Sequence, residues 1–157
     1  MKNLIYLSIV ALFILSCQGE PTKTIDLKEE PVNLDHEKSL VLPWSVQMND
    51  STQVMEIRRD PNADTNNLQP EDMVDALNLK YPQIILSWNK QEGDKAFVSI
   101  ADATYLTQQS GSGGAEAYLA EATYSLTEIA GIAVVEFSFK EGDHARPGIY
   151  TREDFKF

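Results

Sequence analysis

The chain has 157 residues, 13 Lys+Arg against 24 Asp+Glu, and a formal charge of −11. That sign excludes nucleic acid as a partner, because binding to it is driven by basic side chains neutralising phosphates. With a single cysteine, no intramolecular disulfide and no zinc–thiolate cluster can be built, so the fold rests on packing.

That cysteine, Cys17, closes an apolar N-terminal run. Lys2 gives a small positive start, Leu4 to Leu15 is nearly all apolar, and Ile14-Leu15-Ser16-Cys17 reads aliphatic, aliphatic, small, cysteine. The run is short of the ~20 apolar residues a spanning helix needs. It resembles a bacterial lipoprotein signal, which implies removal of residues 1–16, acylation at Cys17 and anchoring in the cell membrane. Gln18 stands where enteric lipoproteins retained in the inner membrane carry Asp, which implies the outer membrane of a Gram-negative bacterium. An ordinary secretory peptide cut near Ser16 is the alternative, and it leaves a free thiol. Residues 1–16 hold one basic residue and no acidic one, so the chain from Cys17 on has a charge of −12. Such a field repels an anionic leaflet, so attachment to the membrane falls to the lipid on Cys17.

Residues 17–40 are rich in charge and carry two prolines with scattered aliphatics, and no period persists. This predicts a flexible tether reaching roughly 25–30 Å. One folded domain, residues 41–157, follows. Gln53–Arg58 alternates with period two and predicts a strand. Pro61–Asn67 is a polar loop. Pro70-Glu71-Asp72 opens a helix with Met73, Val74, Leu77 and Tyr81 on one face, stopped by Pro82. Residues 83–88 and 96–100 predict a hairpin about Glu92-Gly93-Asp94. Ser110-Gly111-Ser112-Gly113-Gly114 reads as a flexible lead-in, with Ser112 as N-cap, to a helix over 115–129. That helix lines up Ala115, Tyr118, Leu119, Ala122, Leu126 and Ile129 and ends at Gly131. Ile132–Phe139 is the closing strand. The order predicts an α+β fold, a split β-α-β-β-α-β sandwich with two helices on one face of a small mixed sheet.

Several of these segments together carry a resemblance. They are Asp60-Pro61-Asn62, Ala76-Leu77-Asn78, the hairpin, Gly111-Ser112-Gly113-Gly114-Ala115-Glu116, Tyr124-Ser125-Leu126-Thr127-Glu128 and the 134–139 strand. The pattern resembles the GerMN-type sporulation and spore-germination domain of bacterial lipoproteins, over roughly residues 45–140. It implies a fold similar to ring-building domains of exported assemblies, with no catalytic residues to carry over. The expectation is a lipid-anchored envelope module that binds or assembles without catalysis. Its partners would be an envelope protein or a cell-wall component.

Two alternatives come from side chains. In the 60–71 loop, Asp60, Asn62, Asp64, Asn66 and Glu71 follow calcium-loop spacing, although position six is Thr65 where such loops need glycine. The second alternative is an envelope hydrolase or metal site in segment 141–154, with Asp143 and His144 as candidate binding residues beside Glu153-Asp154. His36, the other histidine, lies in the tether. Lys90-Gln-Glu92-Gly93-Asp94 and Lys140-Glu141-Gly142-Asp143 look alike and read as two turns. Ser112 is a candidate anion contact at the helix start, but no P-loop lysine accompanies it. Trp44, Trp88 and Tyr105 read as core, or as a partner surface if two share an open sheet face.

Both sides of the 83–100 hairpin carry apolar residues. This predicts that the segment near 41–44 or the tail 149–157 folds over the face the helices leave open. A monomer is favoured, since the charge resists self-association. Pairing of that face with another copy is the alternative.

Overall fold

The computed structural model describes residues 41–157. Cys17, the signal segment and the whole of the tether expected over 17–40 lie outside those residues. Strands β1 (Trp44–Met48) and β2 (Met55–Arg59) form an antiparallel ribbon. After a polar loop come α1 (Pro70–Lys80), β3 (Leu86–Glu92) and β4 (Lys95–Ile100). A π-helical turn (Tyr105–Gln109) leads into α2 (Gly111–Leu126). Then follow β5 (Val134–Ser138), β6 (Gly148–Tyr150) and a 3₁₀ turn (Arg152–Asp154).

The fold is α+β, and from β2 to β5 the elements run β-α-β-β-α-β. The main sheet has the order β3-β4-β5-β6. It is antiparallel except for the β4–β5 pair, which is parallel because α2 carries the chain back across the sheet. The strand before α1 does not join this sheet; it pairs with β1, and β6 supplies the fourth strand instead. The core lies on the helix-bearing face, where Leu86, Val98, Ile100, Val135 and Phe137 meet Leu77 and Leu126, all nearly inaccessible.

Helix α2 departs from the one-sided stripe. Ala120, Glu121, Thr123 and Ser125 are buried along with the expected apolar positions. The main sheet covers one side of α2 and the β1–β2 ribbon packs on another, so its polar residues face protein rather than water. Its glycines are only loosely tied to this packing. A Cβ on Gly113 would sit 3.6 Å from Met55 of the ribbon, and one on Gly114 would sit 3.3 Å from Ser110. The segment 110–114, expected as a flexible lead-in, is thus the π–α junction and the first helical turn. Only Gly111, at φ +69°, bends there.

Two carboxylates two turns apart on α2 and its C-terminal extension hold the ribbon. Glu121, fully buried, accepts from Tyr81 Oη (2.6 Å) and pairs with Lys80, both at the end of α1, and meets the Val46 N–H at 3.5 Å. Burial first, and then the Glu121 carboxylate, push the Tyr81 hydroxyl pKa up, so that group stays a donor. Glu128 accepts from Trp44 Nε1 (2.9 Å), Arg59 (2.9 and 3.1 Å) and Arg152 (3.0 Å). The Arg152 guanidinium also lies 5.1 Å from the Trp44 and Tyr124 ring centroids.

Burial works against the charge on Glu128, but the bonds from Trp44, Arg59 and Arg152 outweigh it, and its pKa lies below the ordinary 4.5. A depressed carboxylate pKa gives stability that is complete above the unfolded value and lost as pH falls through the native one. We therefore expect acid unfolding to begin below about pH 4.5. Glu128→Gln should flatten that part of a stability–pH curve; an unchanged slope would show that Glu128 does not contribute.

The uncovered sheet face corrects an expectation. Neither terminal segment folds over it. Trp44 meets Tyr124 of α2 (5.0 Å between centroids), and Phe155 stacks on Tyr150 (5.8 Å), which meets Phe137 on the helix side (5.6 Å). The open face mixes charge with apolar groups, and Ile149, opposite Glu136, stays exposed on it. Lys95 pairs with Glu136 across strands (3.0 Å), and the Lys90 and Lys95 ammonium groups sit 4.9 and 5.4 Å from the centroid of Phe97. Their aliphatic stems shield the ring while their charges stay in water. Trp88 and Tyr105 pack against the core and Trp44 lies against Tyr124 of α2, so no two of them share this face.

Candidate functional site

Between β5 and β6 the chain passes over the start of α2, and four contacts hold that crossing. The Gly142 N–H donates to Ala145 O (3.2 Å), the His144 N–H to Thr107 O (3.0 Å), and the Tyr150 hydroxyl to Arg146 O (2.7 Å). With its amide assigned in the orientation that satisfies both partners, Gln108 donates to Asp143 Oδ2 (3.1 Å) and accepts from the Asp143 N–H (3.2 Å). Thr107 and Gln108 belong to the π turn, which closes with the Ser110 N–H on Tyr105 O (2.9 Å). Single π turns are rare in helical segments and gather at functional sites. Here the turn offers a carbonyl and an amide sideways to the loop.

Gly142 has no room for a side chain. A Cβ there would lie 2.6 Å from Thr107 Cβ and 2.7 Å from Thr107 Oγ1. Its likeness to the Gly93 turn is therefore one of letters only. Gly93 is a hairpin tip at φ +61° in open space, whereas Gly142 is a close-packing residue.

The loop and α2 border an open cleft of about 770 Å³. Ser112 Oγ lies 3.2 Å from His144 Nδ1 across it. Ser112, Asp143 and His144, singled out from two distant stretches of sequence, thus meet at one place. Their roles differ from those expected. Ser112 is inside the helix instead of capping it, and the Asp143 carboxylate faces Gln108 instead of the imidazole.

Of the other charges, Arg146 Nε pairs with Glu141 (3.0 Å), an exposed contact contributing at most about 1 kcal/mol. Asp154 accepts from the Thr151 N–H (2.7 Å) and hydroxyl (3.0 Å) and so caps the 3₁₀ turn. Glu116, one turn beyond Ser112, lines the cleft without an ion-pair partner among the described residues. Leu119, Ala145 and Phe155 give it an apolar floor.

The 60–71 loop is organised locally. Asp60 Oδ1 accepts the Asn62 N–H (2.8 Å), and Asp64 Oδ1 accepts both the N–H and the amide of Asn66 (2.9 Å each). These are Asx turns. Glu71 sits in the first turn of α1. Among the described residues no three His, Cys, Asp or Glu side chains gather as a metal set, so Asp60, Asp64 and Glu71 are not brought together.

No family model, curated protein or solved structure matches the chain. The cleft has to be judged on its own atoms. The Thr107 carbonyl, the Gln108 amide and Gly142 are the parts that sequence reading missed. Their only signal was a glycine in a segment already rich in turn formers. Glu116 was visible as a charge near the helix start, but only the 141–146 loop makes it part of a site.

Proposed function

We propose that this chain is a lipid-anchored envelope module that binds a partner protein or cell-wall component in the cleft without catalysing a reaction. The observation that supports it is the wiring of His144. Its ring is hydrogen-bonded to Ser112, while the neighbouring Asp143 carboxylate is committed to Gln108. A serine nucleophile needs a base whose tautomer and orientation are fixed by a third group, and among the described residues the His144 ring has none. Pre-set donors and acceptors on a braced loop suit recognition. The resemblance to GerMN-type lipoprotein domains belongs to this same proposal, as does an outer-membrane anchor at Cys17.

The Ser112–His144 contact is also what favours the hydrolase reading, and one experiment separates the two. Incubation of the protein with a fluorophosphonate probe at pH 8 is expected to leave Ser112 unlabelled. Labelling that disappears in His144→Ala would establish a nucleophile and overturn the proposal. For the anchor, Cys17→Ser is expected to move the protein out of the membrane fraction or leave it unprocessed. A variant that stays in the membrane with its leader removed would show attachment by other means.

A further inference from the structure

From the charges in the cleft we infer the class of ligand it takes: a short peptide or amino acid that is zwitterionic, with a free ammonium and a free carboxylate. This rests on the cleft being a binding site, as proposed above. Two opposite charges line the cleft with binding capacity to spare. Glu116 is exposed on α2 and has no ion-pair partner among the described residues. Arg146, on the facing loop, pairs with Glu141 through Nε, and among the described residues no hydrogen bond holds its terminal nitrogens. A guanidinium with open terminal nitrogens matches the two oxygens of a carboxylate, and a lone carboxylate matches an ammonium.

Ligands of a single sign fit poorly. Around Arg146 the lining carries Glu116, Glu141, Asp143 and Asp154, so an anion alone is repelled, and a cation alone leaves the Arg146 guanidinium unused. A ligand carrying both charges satisfies both ends. The volume, about 770 Å³, is in the range of sites that enclose drug-sized molecules. Leu119, Ala145 and Phe155 give the cleft an apolar floor, suited to small side chains. Ser112 and the imidazole of His144 remain for the peptide amides. The wall carrying Arg146 is braced at Thr107, Gln108 and Tyr150, so little ordering entropy is lost on binding.

The test uses the full chain in detergent, with trialanine, its N-acetylated form and its C-terminal amide as probes. Binding is read by calorimetry and by the two histidine imidazole signals in NMR. Trialanine at millimolar concentration is expected to shift the His144 signals saturably and leave those of His36 unmoved. Acetylating or amidating it should each weaken binding about tenfold, the loss of one charge-assisted contact. In Glu116→Gln the acetylated and free peptides should bind alike, and in Arg146→Gln the amide and the free peptide should. Equal binding of all three peptides to the unaltered protein would overturn the zwitterion inference and leave the cleft standing as a site. Absence of any peptide effect on His144 overturns the inference too, whereas a fluorophosphonate adduct on Ser112 overturns the reading beneath it.

Discussion

Gly142→Ala is expected to destabilise the domain by about 1–3 kcal/mol, the usual cost of forcing atoms into a filled space. The added methyl would sit 2.6 Å from Thr107 Cβ, and Thr107 is itself buried, with its hydroxyl bonded to Ala103 O. It cannot yield without disturbing the π turn, so the loop must move instead. Moving it withdraws the His144 N–H from Thr107 O and parts the imidazole from Ser112. The midpoint of thermal unfolding should fall roughly 4 °C for each kcal/mol, and the His144 NMR signals should move toward those of an unconstrained imidazole. Gly93→Asn is the control, since Asn tolerates the left-handed backbone and nothing crowds that position. A Gly142→Ala protein with unchanged stability and unchanged His144 signals would refute the close-packing account.

The second large effect concerns the buried carboxylate. Lys80→Met is expected to cost about 2–3 kcal/mol, because it leaves Glu121, with no exposure of its own, short of its cationic partner. The value stays below the full 3–5 kcal/mol for breaking a buried pair, since Lys80 is 40% exposed and Tyr81 still donates. Replacing both residues, Lys80→Met with Glu121→Leu, should recover most of the loss, because no lone charge then remains inside. Denaturant midpoints of the two singles and the double form the cycle. If the double variant is as unstable as the sum of the singles, the network contributes through more than charge pairing.

Much of the fold was legible in the sequence where a single period governs a segment. The α1 face, the 86–100 hairpin and the β5 run all show their burial as patterning, because each meets one layer of protein on one side. Helix α2 hides its surroundings, since a helix covered by a sheet and by a ribbon buries Glu121, Thr123 and Ser125 as well as its stripe. Those residues spell solvent to any one-sided reading. The pairing of β2 with β1 was hidden for a related reason. Local alternation marks a strand but does not name its neighbour. At the cleft, the residue types in Ser112, Asp143 and His144 were visible. Their convergence depends on a π turn that has no reliable composition of its own. Glycines were the most misleading signal, because freedom of the backbone and absence of space are written with the same letter.

One modest contact bears on how such a domain behaves in a crowd. Asn78 of α1 donates its amide to Leu86 O (2.9 Å) and accepts the Leu86 N–H (2.8 Å) on the outer edge of β3. Two residues on, the ladder shifts register between Trp88 and Lys90. With the proposed lipid anchor, copies would be confined to two dimensions, where encounters between neighbours are frequent and exposed edges invite strand-to-strand polymerisation. Here an arriving strand finds the Leu86 main-chain groups occupied and the next stretch out of step. The side chain of one asparagine stands in for the missing neighbour, and crowded copies can slide past one another without seeding a fibre along this edge.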